Sequence, residues 1–140
     1  MIDLESDFGQ AVKRHLEDEY VIWLTTVDSI GMPQPRPVWF LWDVDSFLIF
    51  SQPHAHKVKH IAQNPKVALN FNTDDTGDRR VIVFTGEAVI DTDSPLAHKV
   101  SAYLEKYETG IIGLDMTLEE FSADYSTAIR IKPAEVRGWA

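Results

Sequence analysis

Apolar residues recur at four-residue spacing near the start of the chain: Phe8, Val12 and Leu16 are separated by polar positions, which predicts an amphipathic helix over residues 6–18. The pattern then changes. Tyr20–Val27 (YVIWLTTV) is β-branched and aromatic, and Asp28, Ser29 and Gly31 supply the turn that ends this strand. A second strand is predicted from about Arg36 to the Asp43-Val44-Asp45 turn. Pro33, Pro35 and Pro37 sit before and within its start, and proline donates no ladder hydrogen bond, so this end belongs at an edge, a bulge or a sheet opening. Val38, Phe40 and Trp42 alternate with Trp39, Leu41 and Asp43, which leaves both faces largely apolar. Phe47–Ser51 is a third strand and completes a meander.

His56–Gln63 reads as a short helix stopped by Asn64-Pro65, because a residue before proline is pushed out of the helical region. Lys66–Asn72 alternates as a fourth strand, the polar loop Thr73–Asp78 follows, and a fifth strand runs from Arg80 to about Asp91 with a bulge or bend at Gly86. Ser94-Pro95 is expected to open a helix to about Tyr107, with Leu96, Val100, Tyr103 and Leu104 on one face. Thr117-Leu118-Glu119-Glu120 has the form of a capping box. Thr127–Ile131 and Val136–Trp139 are predicted as two short strands separated by Lys132-Pro133. This order, without repeats or a linker, predicts one α+β domain over residues 1–140, with antiparallel pairing and a small closed barrel.

Composition narrows the chemistry. The 140 residues include no cysteine, which excludes thiol catalysis, disulfide frameworks and Cys-ligated zinc. The acidic, amphipathic start lacks the apolar core of a secretory signal, so the cytoplasm is expected. No apolar run approaches the roughly 20 residues of a membrane-spanning helix. The net charge of −9 argues against nucleic acid or an anionic membrane as partner. The charge is uneven, however: residues 1–19 hold six acids and two bases, residues 74–140 hold thirteen acids and seven bases, and Ser46–Thr73 holds no acid. That acid-free window contains Lys57, Lys59 and Lys66 with His54, His56 and His60, a candidate small-anion site.

Within the window, Phe50-Ser51-Gln52-Pro53-His54-Ala55-His56-Lys57 is a strand end, a turn and a helix start, where free N–H groups and Lys57 suit a phosphate. His54, His56 and His60 have spacing that raises zinc, but neighbouring lysines repel a dication and no carboxylate lies nearby, so no metal is expected. A planar cofactor lying along Pro35-Arg36-Pro37-Val38-Trp39-Phe40 would find Trp39 or Phe40 for packing and Arg36 for an anionic substituent; core packing is the alternative for both aromatics. The motifs of serine hydrolases, P-loops, dinucleotide folds and zinc proteases are absent.

Four stretches together, Gly31–Phe40, Ser46–Ser51, Ala55–Ile61 and Gln63–Leu69, resemble the pyridoxamine 5′-phosphate oxidase-like family of split β-barrels, which bind FMN or the deazaflavin coenzyme F420. The resemblance covers nearly the whole chain. It implies a mainly antiparallel barrel of six to seven strands with short flanking helices, and a homodimer with a cofactor in each of two interface clefts. Arg36 and Lys57 fall at phosphate-binding positions and Ser51 at a position near the cofactor chain, while His56, Ala55 and Leu41 replace an arginine, a serine and a lysine. These departures disfavour pyridoxamine phosphate oxidation and resemble the F420-using members. The implied cofactor-binding set is Arg36, Pro37, Val38, Trp39, Phe40, Ser51, Gln52, Ala55, His56, Lys57 and Lys59, with the backbone of Val38–Phe40 at the ring and Lys59 at an anionic tail.

The implied activity is hydride transfer from F420, or alternatively FMN, to a small unsaturated or quinone-like substrate. No catalytic residue is assigned. A proton donor stays open among Tyr103, Tyr107, Tyr125 and solvent, and Trp139 beside Arg137 either completes the partner's cleft or packs on its own barrel. A non-catalytic flavin- or haem-binding module and a cofactor-free structural dimer are the competing readings.

Overall fold

Among the residues described by the computed structural model, 2–73 and 80–139, seven antiparallel strands form one curled sheet with four α-helices packed on it. The acidic part of the loop predicted at Thr73–Asp78 lies outside the described residues. Helix α1 (Asp7–Asp18) starts where the Ser6 side chain accepts the Gly9 N–H, satisfying one of the donors a helix leaves free. Its Val12 and Leu16 enter the barrel core, as their spacing predicts. No helix among the described residues is long and apolar enough to cross a membrane.

Strand β1 (Val21–Val27) pairs with β2 (Pro33–Trp39), and the remaining strands are β3 (Leu41–Asp43), β4 (Ser46–Ser51), β5 (Lys66–Asn70), β6 (Val81–Ile90) and β7 (Thr127–Trp139). The sheet order is β2-β1-β5-β6-β7-β4-β3. The strand expected from Arg36 therefore begins earlier, at Pro33, and it is divided at Phe40. Its prolines lie on an edge strand, as their missing donors require. Trp39 pairs with Val21 while Leu41 pairs with Leu48, so the two edges of the sheet are consecutive in the chain and Phe40 alone joins them. The barrel is split at this point.

Helix α3 (Ser101–Gly113) satisfies the backbone at the division. The Tyr107 hydroxyl accepts the Phe40 N–H at 2.8 Å and lies 2.6 and 2.8 Å from the Tyr20 and Phe40 carbonyls, and Lys106 Nζ donates to the Phe40 carbonyl at 2.8 Å. Two cores explain the strands that are apolar on both faces. Val38, Phe40, Phe47 and Ile49 fill the barrel, whereas Trp39, Leu41, Leu48 and Phe50 face outward beneath Tyr103, Tyr107 and Ile111 of α3 and Phe121 of α4 (Leu118–Asp124).

Several element boundaries differ from the sequence expectations. The helix expected from Ser94-Pro95 to Tyr107 is replaced by a 3-10 turn at Ala97–Lys99, an extended Val100 and then α3. The Ser122 hydroxyl of α4 accepts the His98 N–H at 2.8 Å and bonds His98 Nδ1 at 2.7 Å, so a distant contact holds this turn. The Thr117–Glu120 capping box forms, with both reciprocal hydrogen bonds present. The two final strands are one strand, β7, and Pro133 faces Gly86 where the register slips, so the residue lacking an N–H stands where the ladder is already interrupted. The fourth strand stops at Asn70 rather than Asn72, and the fifth spans Val81–Ile90 rather than Arg80–Asp91.

Candidate functional site

At the end of β4 the chain turns through Gln52–Ala55 into helix α2 (His56–Gln63). Ala55 at the N-cap offers no side-chain acceptor, which leaves the first amides of α2 available to a ligand. Lys57, in the first turn, lines two clefts at once.

The first cleft, about 230 Å³, is aromatic. Pro37, Val38 and Trp39 of β2 and Phe50 of β4 form one side, and Tyr103, Leu114, Phe121 and Tyr125 come from the helical cover. The Trp39 indole stacks on Tyr107 with centroids 4.7 Å apart and planes 8° apart, and lies 5.9 Å from Phe121. Gly110 makes room for it: a Cβ there would stand 3.1 Å from the indole.

The second cleft, about 320 Å³, is polar and contains Arg36, His56, Lys57 and His60 with Thr26, Asp28 and Gln34. Thr26 and Gln34 are register partners on β1 and β2, and the Thr26 hydroxyl bonds His60 Nδ1 at 2.8 Å. Asp28 accepts hydrogen bonds from the Met32 N–H at 2.9 Å, Gln34 Nε2 at 3.0 Å and the Ile30 N–H at 3.1 Å. These bonds, the Met32 amide foremost, hold its carboxyl below the ordinary aspartate range. Burial, and then the neighbouring Arg36 charge, lowers the Lys57 ammonium. Among the described residues neither Lys57 nor Arg36 has an ion-pair partner; Arg36 donates to the Pro35 carbonyl at 2.9 Å. Two neighbouring cations without a paired carboxylate favour an anion between them.

Of the residues expected from the sequence, Pro37, Val38 and Trp39 line the first cleft, Arg36 and His56 the second, and Lys57 both. Phe40 lies elsewhere: its side chain is 0% exposed in the barrel core and its N–H and carbonyl are taken by Tyr107 and Lys106. Ser51 is buried and its hydroxyl donates to the Gln52 carbonyl at 3.0 Å. Gln52 and Ala55 belong to the turn, and Lys59 is exposed on α2 outside both clefts. Trp139, 63% exposed, is also outside them.

Sequence reasoning missed Phe50, Leu114 and Phe121 in the first cleft and Thr26, Asp28 and Gln34 in the second. Gln34 carries a usable signal, because it lies two residues before Arg36 on the same face of β2. Phe121 carries none, since only the folded position of α4 brings it to Trp39. His60, weighed as a metal ligand, is bonded to Thr26, and His56 stacks 6.3 Å from it. Among the described residues no three metal-ligating side chains gather.

A flavin-type ligand fits these groups. Its ring suits the aromatic cleft, where the buried Tyr103 hydroxyl has no hydrogen-bond partner among the described residues, and its anionic arm suits Lys57, Arg36 and the uncapped start of α2.

The curled seven-stranded sheet and its helical cover define the class, an α+β split β-barrel. A sequence profile of the pyridoxamine 5′-phosphate oxidase family matches residues 8–140, and the chain belongs to that family. The pyridoxine/pyridoxamine 5′-phosphate oxidase 2 of Hydrogenovibrio crunogenus is 36% identical over 72 residues, which are 51% of this chain and 34% of that protein. The pyridoxine/pyridoxamine 5′-phosphate oxidase of Rhodopseudomonas palustris is 26% identical over 145 aligned residues, covering 94% of this chain and 68% of that one. The chain thus spans about a third of the length of the first of these relatives and about two thirds of the second.

Among solved structures, an F420 reductase superposes with a TM-score of 0.67 at 24% identity, covering 89% of this chain and 94% of that one. An FAD-binding protein of Mesorhizobium loti gives 0.68 at 17% identity, with 92% and 90% covered. The haem storage protein of Vibrio cholerae gives 0.65 at 16% identity, with 93% of each chain covered. At these identities the likeness is one of fold.

Proposed function

We propose that the protein is a cytoplasmic oxidoreductase that binds coenzyme F420, with FMN as the alternative, and reduces a small unsaturated or quinone-like substrate. The observation that carries this reading is the position of Lys57, which lines both the aromatic cleft and the polar cleft that holds Arg36. When bound, such a cofactor supplies the hydride from its central ring. The chain's residues bind and orient. Val38 and Trp39 flank the ring, the helical cover excludes water from it, and Lys57, Arg36 and the first amides of α2 neutralise the phosphate.

Ala55 and His56 give this phosphate end fewer donors than the serine and arginine they replace. That favours a singly charged phosphodiester, as in F420, over the doubly charged phosphate of FMN. Lys59, exposed on α2, is available to a longer anionic tail. A homodimer with a cleft pair at its interface belongs to the same proposal. The largely apolar groove of about 480 Å³ on the outer face, where Thr25, Val27, Ala68, Thr85 and Ala134 meet, offers surface for a second copy.

Titration of the purified protein with F420 and with FMN tests this reading. Binding of one of them at micromolar affinity or better is expected, with a weakening of about 1.5–3 kcal/mol in Lys57→Ala, the usual worth of a charge-assisted hydrogen bond. Binding of neither ends the proposal. Oxidation of the reduced cofactor by a quinone such as menadione then separates an enzyme from a carrier, which would bind without turnover.

A further inference from the structure

Tyr103 contributes its ring to the outer core, and its hydroxyl bonds to nothing among the described residues. The residue is 0% exposed; its ring packs edge-on against Phe50 at 4.9 Å and tilted against Tyr107 at 4.8 Å. Phenylalanine would make these contacts equally well. The hydroxyl is buried without a hydrogen-bond partner among the described residues, an arrangement that costs stability and that native structures seldom keep without a use. Tyr107, one turn further along α3, shows the ordinary solution, with its hydroxyl shared among three backbone groups. Tyr103 differs in one more respect: it borders the aromatic cleft, which Tyr107 does not, and its hydroxyl, closed to solvent in this conformation, would meet a ligand there once the helical cover shifts.

We propose that the Tyr103 hydroxyl is a ligand-recognition group, donating a hydrogen bond to a carbonyl oxygen on the planar ring held in the aromatic cleft. The inference rests on the reading of that cleft as a flavin-type site, and it specifies which part of the ligand is read there. Burial raises the phenol well above its ordinary range, so it stays protonated and acts as a donor at neutral pH. A donor at that place selects a ring with an acceptor on its edge, such as the pyrimidinedione of a flavin or deazaflavin, over a hydrocarbon ring of the same shape.

Tyr103→Phe, which removes one oxygen atom, is the test, read in two ways on the full chain. In thermal unfolding without ligand, the variant is expected to match or exceed the wild type, because an unpaired buried hydroxyl is lost. In fluorescence titrations with F420, FMN and riboflavin, each ligand that binds the wild type should bind the variant about tenfold more weakly, the scale of one hydrogen bond. The loss should be equal for FMN and riboflavin where both bind, since the contact is to the ring and not to the phosphate. A lower melting temperature of the ligand-free variant would show that the hydroxyl has a partner in the folded chain, an internal water included, and would overturn the inference. Unchanged affinity, or a loss confined to the phosphorylated ligand, would overturn it too while leaving the flavin-type reading intact. A wild type that binds none of the three ends both.

Discussion

Tyr107 places one hydroxyl against the two strand ends that meet at Phe40, and the predicted consequence is opposite to that at Tyr103. Phe40 is fully buried, and its N–H has the Tyr107 oxygen as partner. Tyr107→Phe keeps the ring stack with Trp39 but leaves a buried donor unpaired, so it should lower the unfolding free energy by about 1–3 kcal/mol. Urea denaturation at neutral pH measures this, and a loss below a few tenths of a kcal/mol would mean that the amide finds another partner. In the sequence the two tyrosines are four residues apart on one helical face and look alike. What separates them is the carbonyl of Tyr20 and the backbone of Phe40, far away in the chain, so residue identity revealed the packing and not the hydrogen bonding.

At the level of elements, signals whose partners are close in sequence were legible: the four-residue apolar spacing of α1, the Thr117–Glu120 box of α4, the Asn64-Pro65 stop of α2 and the prolines of edge strand β2. The division at Phe40 and the fusion of two expected strands into β7 were not, because each depends on a neighbouring element. The bulge shows how. Thr85 pairs with Glu135 but Gly86 pairs with Pro133, so Ala134 is the extra residue and β7 continues past a proline. The two backbones approach so closely that a Cβ on Gly86 would lie 2.7 Å from the Lys132 carbonyl oxygen and 3.0 Å from Pro133 Cα. Since both are backbone atoms, Gly86→Ala must move one strand, and a loss of about 1–3 kcal/mol is expected from overpacking. Equal stability of variant and wild type in chemical denaturation would show that the bulge yields freely. The candidate site divides in the same way: Arg36 and Lys57 were legible from turn and strand chemistry, whereas the aromatic cover from Phe121 and Leu114 had to await the packing of α4.

For the molecule as a whole, the net charge of −9 and the acid-free window from Ser46 to Thr73 are compatible because the window supplies Lys57 to both clefts, and Asp28 is the one acid among the described residues that line them. The more telling charge is Lys106, outside that window. Its ammonium donates to the Phe40 carbonyl at 2.8 Å and sits 3.7 Å from the centre of the Phe40 ring, and burial, opposed by Glu19, brings its pKa down to about 8. The unfolded chain holds that proton up to the ordinary lysine value of 10.5. Between those two values the folded state binds fewer protons than the unfolded state, so stability rises with pH. Lys57, also lowered, acts with the same sign. The rise ends near the ordinary tyrosine value of 10.0, because burial raises Tyr103 and Tyr107 and their phenols then ionise only in the unfolded chain. Stability should therefore climb from about pH 8 toward pH 10 and fall beyond it. Lys106→Met isolates the lysine: the melting temperature of the wild type relative to the variant should increase steadily across this window and stay level below it. Parallel curves for the two proteins would remove Lys106 as the source, and a fall through the window would reverse the sign of its burial.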